Sequence, residues 1–179
     1  MPTSVDPPSI QADLDAQVVR IKARVEKALA AAAAKMAENA IERGRSDISG
    51  AGAFGTRWTS GFTYEITGTG DERVVSFRQE VPYWRIFQYG GIIKGKPLLW
   101  IPLSWTGVKV RARDFPGRLF RVNRKSGAVP LLMSVADKKP IYHGQTSVRI
   151  PKKFHLVEII RAESKTLGAL YRLEMTQGK

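Results

Sequence analysis

The stretch WRIFQYGGIIKGKPLLWIPL, Trp84–Leu103, predicts a change from helix to strand. Pro82 favours the start of a helical turn over Tyr83–Tyr89, and Gly90 is a residue type that commonly ends helices. After a short basic turn, the apolar run Pro97–Leu103 predicts a buried strand. Such a junction could belong to an active site, a nucleic-acid platform or an assembly surface, and the rest of the chain bears on that choice.

Glycines and bulky side chains have different expected roles in this junction. A glycine pair lets the chain leave the helical turn with positive φ and pass close to another backbone. Aromatic side chains beside it are expected to fill a core or a subunit interface rather than to form a ligand cage. The expected core or subunit anchors are Tyr83, Trp84, Phe87, Gly90, Gly91 and Trp100.

One long helix is predicted upstream, over residues 10–43, behind a flexible arm of residues 1–8. Pro7 and Pro8 stop the helix from reaching further back, and Gly44 is a suitable terminator. Its apolar positions follow an eleven-residue repeat, about 3.67 residues per turn, which keeps one stripe on a nearly straight helix. Such a helix would be about 50 Å long, so we expect part of it to project or to pack between subunits. The stripe comprises Ile10, Leu14, Val18, Ile21, Val25, Leu29, Ala32, Met36 and Ala40.

The remaining segments predict an α+β fold with a mixed or antiparallel sheet, a short helical turn and a C-terminal helix. Alternating apolar residues indicate strands, and glycine-rich or basic stretches without such a pattern indicate loops. In chain order we expect a glycine-rich loop at 44–61, a hairpin of strands 62–67 and 73–80, a basic loop at 104–117, a hairpin of strands 119–122 and 129–135, a strand at 146–150 and a helix at 154–177, with 62–153 forming a β-rich core.

Length and composition predict a single soluble domain. The chain has 179 residues, of which 43% are hydrophobic, enough for one core. No run of about 18 apolar residues predicts a membrane span, and the N-terminus MPTSVDPPS lacks the features of a signal peptide. The absence of cysteine excludes disulfides, thiolate metal sites and cysteine nucleophiles.

The net charge of +13 is concentrated in the middle of the chain. From Ile92 to Lys153 there are fourteen basic residues against Asp114 and Asp137, a net of +12. A segment of this kind repels itself unless it faces an acidic partner, which could be nucleic acid or an acidic protein surface. Charge alone does not decide between the two.

No catalytic or metal-binding constellation is predicted. His143, expected in the loop before the last strand, and His155, expected on the flank of the last helix, have no third ligand at a metal-like spacing. The sequence contains no Gly-x-Ser-x-Gly elbow, and its glycine-rich segment does not follow a strand and open a helix as a phosphate loop does. We therefore expect no enzymatic activity, no cofactor and no metal.

A basic surface is the strongest feature in favour of nucleic-acid binding. Lys109, Arg111 and Arg113 alternate, so in an extended segment they would lie on one side and could follow a phosphate backbone without sequence specificity. The alternatives are a solvated basic face and an interface to an acidic protein. The possible contacts to DNA or to an acidic partner are Lys109, Arg111, Arg113, Arg118, Arg121, Arg124 and Lys125.

The order helix, hairpin, aromatic turn with Gly-Gly, basic spacer and apolar strand resembles tail-completion proteins of long-tailed bacteriophages and related particles. This broad group includes minor tail and virion-morphogenesis proteins, and the resemblance covers roughly half of the chain, Tyr64–Phe154. The long alanine-rich helix and the glycine-rich loop depart from the group's pattern. The matching residues are Tyr83, Ile86, Phe87, Gln88, Tyr89, Gly90, Gly91, Ile92, Lys96, Leu98, Ile101 and Pro102.

The resemblance implies a structural subunit of the virion neck, assembled in the host cytoplasm. It implies an α/β sandwich that forms a ring, commonly a hexamer, which closes the tail tube where the head docks. The implied partners are other copies of the chain, the tail tube protein, head–tail connector or stopper proteins, and double-stranded DNA passing transiently through the lumen. It leaves open whether the role is terminator, stopper or adaptor. A non-specific basic DNA-binding accessory protein is the alternative.

Overall fold

A computed structural model describes residues 7–70, 72–124 and 128–177 and has the predicted α+β class. The chain divides into two compact units. Unit 1 contains the residues up to Gln88 together with those from Lys153 onward, and unit 2 contains Tyr89–Lys152. The expectation of a single domain stays a prediction, and the two units are described separately.

Unit 1 is built on the long helix α1, Pro7–Gly50. The helix does not end at Gly44 as predicted but continues for six further residues, so part of the predicted glycine-rich loop is helical. Gly44 is buried because the ring of Phe62 lies against it, and a Cβ atom at this position would overlap that ring. Here glycine provides space for a neighbouring side chain and does not end the helix.

The remaining elements of unit 1 are four short helices and a β-hairpin. They are the short helix α2 (Thr56–Ser60), the hairpin β1 (Phe62–Thr67) and β2 (Val74–Gln79), the turn helix α3 (Trp84–Tyr89, whose last residue belongs to unit 2), α4 (Leu156–Ser164) and α5 (Leu167–Gln177). The predicted hairpin is present, and its strands pair from Phe62 opposite Gln79 to Thr67 opposite Val74. A buried cluster joins α1, β1 and the segment that leads into α4: Ile41, Ile48, Phe62, Phe154 and Leu156.

The predicted C-terminal helix is two helices, because the chain turns at Lys165 and Thr166. The hydroxyl of Thr166 donates to the carbonyl oxygen of Glu163 over 2.7 Å, so its side chain competes with a continued helix. The carbonyl of Thr166 then accepts the first hydrogen bonds of α5. Gly168, which weakens the helix prediction, lies inside α5 and not at the break.

Two glycine substitutions in helices are expected to have opposite effects on the free energy of unfolding. Gly44→Ala should lower it by about 1–2 kcal/mol, since the clash with Phe62 outweighs the better helix propensity of alanine. Gly168→Ala should raise it by up to about 1 kcal/mol, because a Cβ there meets no atom within 4 Å. Urea denaturation of both variants measures the difference, and a stabilised Gly44→Ala variant would contradict this account of the α1 contact.

Unit 2 is a curled four-stranded antiparallel sheet of strand order β3-β6-β5-β4. Its strands are β3 (Gly91–Pro102), β4 (Leu119–Val122), β5 (Leu131–Ser134) and β6 (Pro140–Ile150). The hairpin of β4 and β5 confirms the prediction. The strands β3 and β6 are longer than predicted, because they pair from Gly91 opposite Ile150 to Pro102 opposite Tyr142, across an irregularity between Lys94 and Leu99.

The basic segment 104–117 is anchored on the buried side chain of Tyr142. The hydroxyl of Tyr142 donates to the carbonyl oxygen of Val110 over 3.0 Å, and the ring of Phe115 meets the tyrosine ring edge-on. Burial, and secondarily the nearby Asp114 carboxylate, raise the pKa of the Tyr142 phenol above its usual value. The hydroxyl therefore remains a hydrogen-bond donor over the whole neutral range.

Candidate interaction surfaces

The bulky residues around α3 form an aromatic cluster inside unit 1. Its members are Phe54, Trp58, Phe87 and Phe154, and every pair of rings has a centroid separation between 4.8 and 5.6 Å. Phe54 and Trp58 come from the segment predicted as a glycine-rich loop, and α2 places Trp58 against the other rings. Phe87, one of the expected anchors, therefore lies in the core of unit 1.

The two other aromatic anchors of this turn differ in exposure. Trp84 is half-buried and packs against the core of unit 1. Tyr83 is 59% exposed and touches the edge of the aromatic cluster, with its ring centroid 5.5 Å from that of Trp58. Of the three aromatic anchors in the turn, Tyr83 is thus the one with most of its surface free to contact another molecule.

Gln88 has a structural role that the sequence did not reveal. Its side chain is fully buried, and its amide oxygen accepts a 2.8 Å hydrogen bond from the backbone N–H of Leu156 at the start of α4. Its amide nitrogen donates to a carboxylate oxygen of Glu158 over 2.7 Å. Asp47 of α1 binds the same helix start, because its carboxylate accepts from the backbone N–H of His155 over 2.7 Å. Two distant segments therefore cap α4.

The two glycines after α3 have different geometry. Gly90 has a φ of 74°, in the left-handed region that favours glycine. A Cβ atom there would lie 3.3 Å from the carbonyl oxygen of Ile150 and from the backbone nitrogen of Lys152. Gly91 is not among the residues with positive φ and begins β3 opposite Ile150. The expectation of positive φ is therefore met by Gly90 alone.

Trp100 lies in unit 2 and packs over Gly144 of the neighbouring strand β6. It is half-buried and opposite Gly144 in the pairing of β3 with β6, and a Cβ at Gly144 would lie 2.9 Å from the Cζ3 atom of Trp100. The six expected anchors are thus divided: the three residues before Gln88 belong to unit 1, and Gly90, Gly91 and Trp100 belong to unit 2.

The first three basic residues do not form the extended row that their alternation predicts. A 3-10 turn at Ala112–Asp114 interrupts the segment, so the argument from alternation is wrong. Arg111 and Arg113 instead bracket the Asp114 carboxylate, with nitrogen–oxygen distances of 2.7 and 3.6 Å. Lys109 is exposed on the same segment. One carboxylate therefore partly neutralises two of these three cations.

The three remaining basic residues of the set that the structure describes are also exposed on unit 2. Arg118 and Arg124 flank β4, and Arg121 lies within it, at one edge of the sheet. The Nε atom of Arg121 donates to the side-chain oxygen of Asn123 over 2.8 Å. Lys125 lies outside the described residues. Unit 2 thus presents cations at several places, and the described ones are all accessible to solvent.

Trp105 is an exposed residue that sequence reasoning missed. It lies in a 3-10 turn at Ser104–Thr106 and is 74% exposed, although tryptophan is a large apolar side chain. Gly107 follows with a φ of 66° and ends the turn. A signal was available, since Trp105 stands between two hydroxyl residues and outside any apolar period. Tryptophan is one of the residue types enriched in protein interfaces.

A groove of about 790 Å³ lies at the end of the ribbon formed by β3 and β6. Residues 89–92 line one side and residues 149–152 line the other. Tyr89 and Ile92 are 64% and 63% exposed, and Arg149 adds an exposed cation. The groove therefore combines apolar and basic surface.

The two histidines belong to different units. His143 is in β6 and not in a loop as predicted, and its Nε2 atom is 3.0 Å from the side-chain nitrogen of Gln145. His155 precedes α4, with its Nδ1 atom 3.1 Å from Asp47. Among residues 7–70, 72–124 and 128–177, no group of three or more His, Cys, Asp or Glu side chains could hold a metal ion. No helix in this part is long and apolar enough to span a membrane.

No family model, curated protein or solved structure matches this chain significantly.

Proposed function

We propose that this protein is a structural subunit of the bacteriophage neck, a tail-completion or tail-terminator protein that closes the tail tube and docks it to the head. The observation that carries the proposal is the stretch Trp84–Leu103, which resembles tail-completion proteins in sequence. In the folded chain this stretch runs as a turn helix, a left-handed glycine and a paired strand. We propose a role in assembly, without a catalysed reaction.

Support for a self-assembling subunit comes from exposed apolar side chains on unit 2. Trp105 and the groove residues Tyr89 and Ile92 each expose more than half of their surface. Large aromatic side chains at the centre of an interface commonly supply most of its binding energy. We propose that these residues contact neighbouring copies in a ring, which is a hexamer in the proteins that this chain resembles, or contact the tail tube and connector proteins.

The basic residues fit a neck role if most of them meet protein. A lumen that bound DNA tightly would hinder the passage of the genome, because every neutralised phosphate strengthens binding. In the proposed ring, Lys109, Arg118, Arg121 and Arg124 contact acidic protein surfaces, and any contact with double-stranded DNA is transient. The partial neutralisation of Arg111 and Arg113 by Asp114 favours weak rather than strong attraction to phosphate.

Replacing Trp105 by alanine is expected to reduce ring formation without unfolding the chain. Truncating a tryptophan at an interface hot spot costs about 2 kcal/mol or more, roughly a thirtyfold loss in the association constant. Since Trp105 is 74% exposed, its loss should leave the thermal midpoint nearly unchanged. Native mass spectrometry of the purified chain, alone and with tail tube protein, measures the distribution of oligomers.

Val74→Ala is the matched control for Trp105→Ala. Val74 is an exposed apolar residue on the hairpin of unit 1, so its truncation should not change the oligomer distribution. A closed ring of the unmodified chain supports the proposal. A chain that stays monomeric both alone and with tail tube protein, or a Trp105→Ala variant that forms rings normally, would contradict it.

The alternative function is that of a non-specific DNA-binding accessory protein. It is favoured by the charge of unit 2, which holds thirteen basic residues against two acidic ones. In that case the purified chain would bind duplex DNA tightly, and the affinity would fall steeply as salt concentration rises. The neck proposal expects a discrete oligomer and weak DNA binding, so a mobility-shift titration at two salt concentrations separates the two functions.

A further inference from the structure

The N-terminal half of α1 carries an unpartnered apolar stripe. Every residue from Gln11 to Ala23 is exposed, whereas the buried positions of this helix begin at Ala28. Leu14, Val18 and Ile21 are 51%, 48% and 59% exposed. At 3.6 residues per turn, these three side chains fall within about 60° of one another around the helix. They form a narrow row of large side chains, which we call the apolar stripe.

Charged residues flank the apolar stripe in a fixed order. Asp15 and Lys22 lie on one side of it, and Asp13 and Arg20 lie on the other. Each acidic residue precedes the basic residue on its own side by seven positions, or about 10 Å along the helix. All four are exposed, and the amide of Gln11 donates to Asp15 over 3.1 Å. The stripe is therefore acidic at its N-terminal end and basic at its C-terminal end.

We propose that this half of α1 pairs antiparallel with the same segment of a second copy of the chain. A two-fold axis midway between residues 17 and 18 places Leu14 of each copy opposite Ile21 of the other. The two Val18 side chains then meet at the centre. The proposal does not depend on the neck function, because it rests on the surface of one helix and not on the stretch Trp84–Leu103.

Charge complementarity selects both the partner and its direction. In the antiparallel pair, Asp15 of one copy lies on the same side as Lys22 of the other, offset by two residues along the axis, and Asp13 relates to Arg20 in the same way. Long lysine and arginine side chains span this offset of about 3 Å. A parallel two-fold pair would place Asp15 of one copy beside Asp13 of the other, and Lys22 beside Arg20, so that like charges would meet, which is unfavourable. The pattern is self-complementary only in the antiparallel sense.

Engineered cysteines test the pairing and its direction, because the native chain has none. A mixture of Leu14→Cys and Ile21→Cys chains is expected to form disulfide-linked heterodimers under mild oxidation. Leu14→Cys chains alone are not expected to form disulfide-linked dimers. In the antiparallel pair, position 14 of one copy lies about 10 Å along the axis from position 14 of the other, which is too far for a disulfide. Both substitutions are on exposed positions, so circular dichroism should show unchanged folding.

Charge reversal provides an independent measurement. Asp13→Lys with Asp15→Lys should weaken self-association by about tenfold or more, since four attractive pairs become repulsive. Arg20→Glu with Lys22→Glu should do the same, and mixing the two double variants should restore association. Analytical ultracentrifugation over a range of protein concentrations measures all three cases.

Three outcomes would overturn the proposal. The first is rapid cross-linking of Leu14→Cys alone, which would indicate a parallel pair. The second is no cross-linking in the mixture above the level of a cysteine placed at exposed Ser60, outside the stripe. The third is self-association that the charge reversals leave unchanged. Ring formation by other surfaces would be unaffected in each case, so failure of this inference is distinguishable from failure of the neck proposal.

Discussion

Phe154→Ala is expected to lower the free energy of unfolding by about 3–5 kcal/mol, the usual cost of removing a buried aromatic ring. Phe154 is fully buried, and its ring centroid is 4.8 Å from that of Phe54, 5.5 Å from Trp58 and 5.6 Å from Phe87. Truncation would leave a cavity that these rings cannot fill without breaking their own contacts. Urea denaturation followed by tryptophan fluorescence measures the loss.

Tyr83→Ala is the matched control for this prediction. Tyr83 touches only the edge of the aromatic cluster and is more than half exposed, so its loss should cost about 1 kcal/mol or less. If the two variants were equally destabilised, the aromatic cluster would not be the core of unit 1. A large change in the denaturant slope would indicate that two-state unfolding had broken down, and the comparison would then use thermal midpoints.

Gln88→Leu is expected to destabilise the chain by about 1–3 kcal/mol, the cost of leaving a buried hydrogen-bonding group without its partner. Leucine is similar in size but cannot accept the hydrogen bond from the buried backbone N–H of Leu156. The substitution also removes the charge-assisted bond to Glu158. Hydrogen exchange of the first amides of α4 should accelerate in step with the loss of stability.

Two further variants separate a polar role of Gln88 from simple packing. Arg85→Ala alters an exposed residue of the same helix and should change stability by less than about 0.5 kcal/mol. Gln88→Glu keeps the acceptor for Leu156 but places a second carboxylate beside Glu158. Its destabilisation should shrink as pH is lowered, because protonating one of the two carboxylates restores a donor. A loss that does not vary with pH would contradict the polar role.

The parts of the fold that the sequence predicted are those fixed by neighbouring residues. The hairpin of β1 and β2 and the hairpin of β4 and β5 follow from local alternation of apolar side chains. The turn helix and Gly90 follow from the proline before it and the glycine after it. In each case the decisive contacts lie within about twenty residues along the chain.

The features that the sequence did not predict are those that a distant residue decides. From the sequence, Gly44 resembles a residue that ends a helix. In the structure, the ring of Phe62 fills the space where a side chain at position 44 would lie. The start of α4 is fixed by Asp47 and Gln88, which are 108 and 68 residues away from their partners in sequence. The division into two units also depends on long-range pairing between β3 and β6. None of these contacts leaves a periodic signal.

The candidate surfaces were predicted in part. The distribution of charge along the sequence located the basic residues in the segment that forms unit 2. The pairing of Arg111 and Arg113 with Asp114 was not predicted, because it depends on a 3-10 turn that an alternating pattern does not reveal. The anchors Phe87 and Trp84 were expected in a core or an interface, and they pack in a core. Trp105 was missed, although its position between two hydroxyl residues and outside any apolar period is a sequence signal for exposure.

One backbone contact in unit 1 has a topological consequence. The carbonyl oxygen of Phe87 accepts hydrogen bonds from the backbone N–H groups of Lys153 and Phe154, at 2.6 and 3.0 Å. The chain therefore departs from unit 1 and rejoins it at adjacent points, and the 64 residues of Tyr89–Lys152 form an insertion whose two ends already meet. The entropic cost of closing a loop rises only slowly with its length. We therefore expect unit 1 to accommodate insertions of other lengths at this point without losing its own contacts. This is a site at which one scaffold could acquire new binding surfaces during evolution.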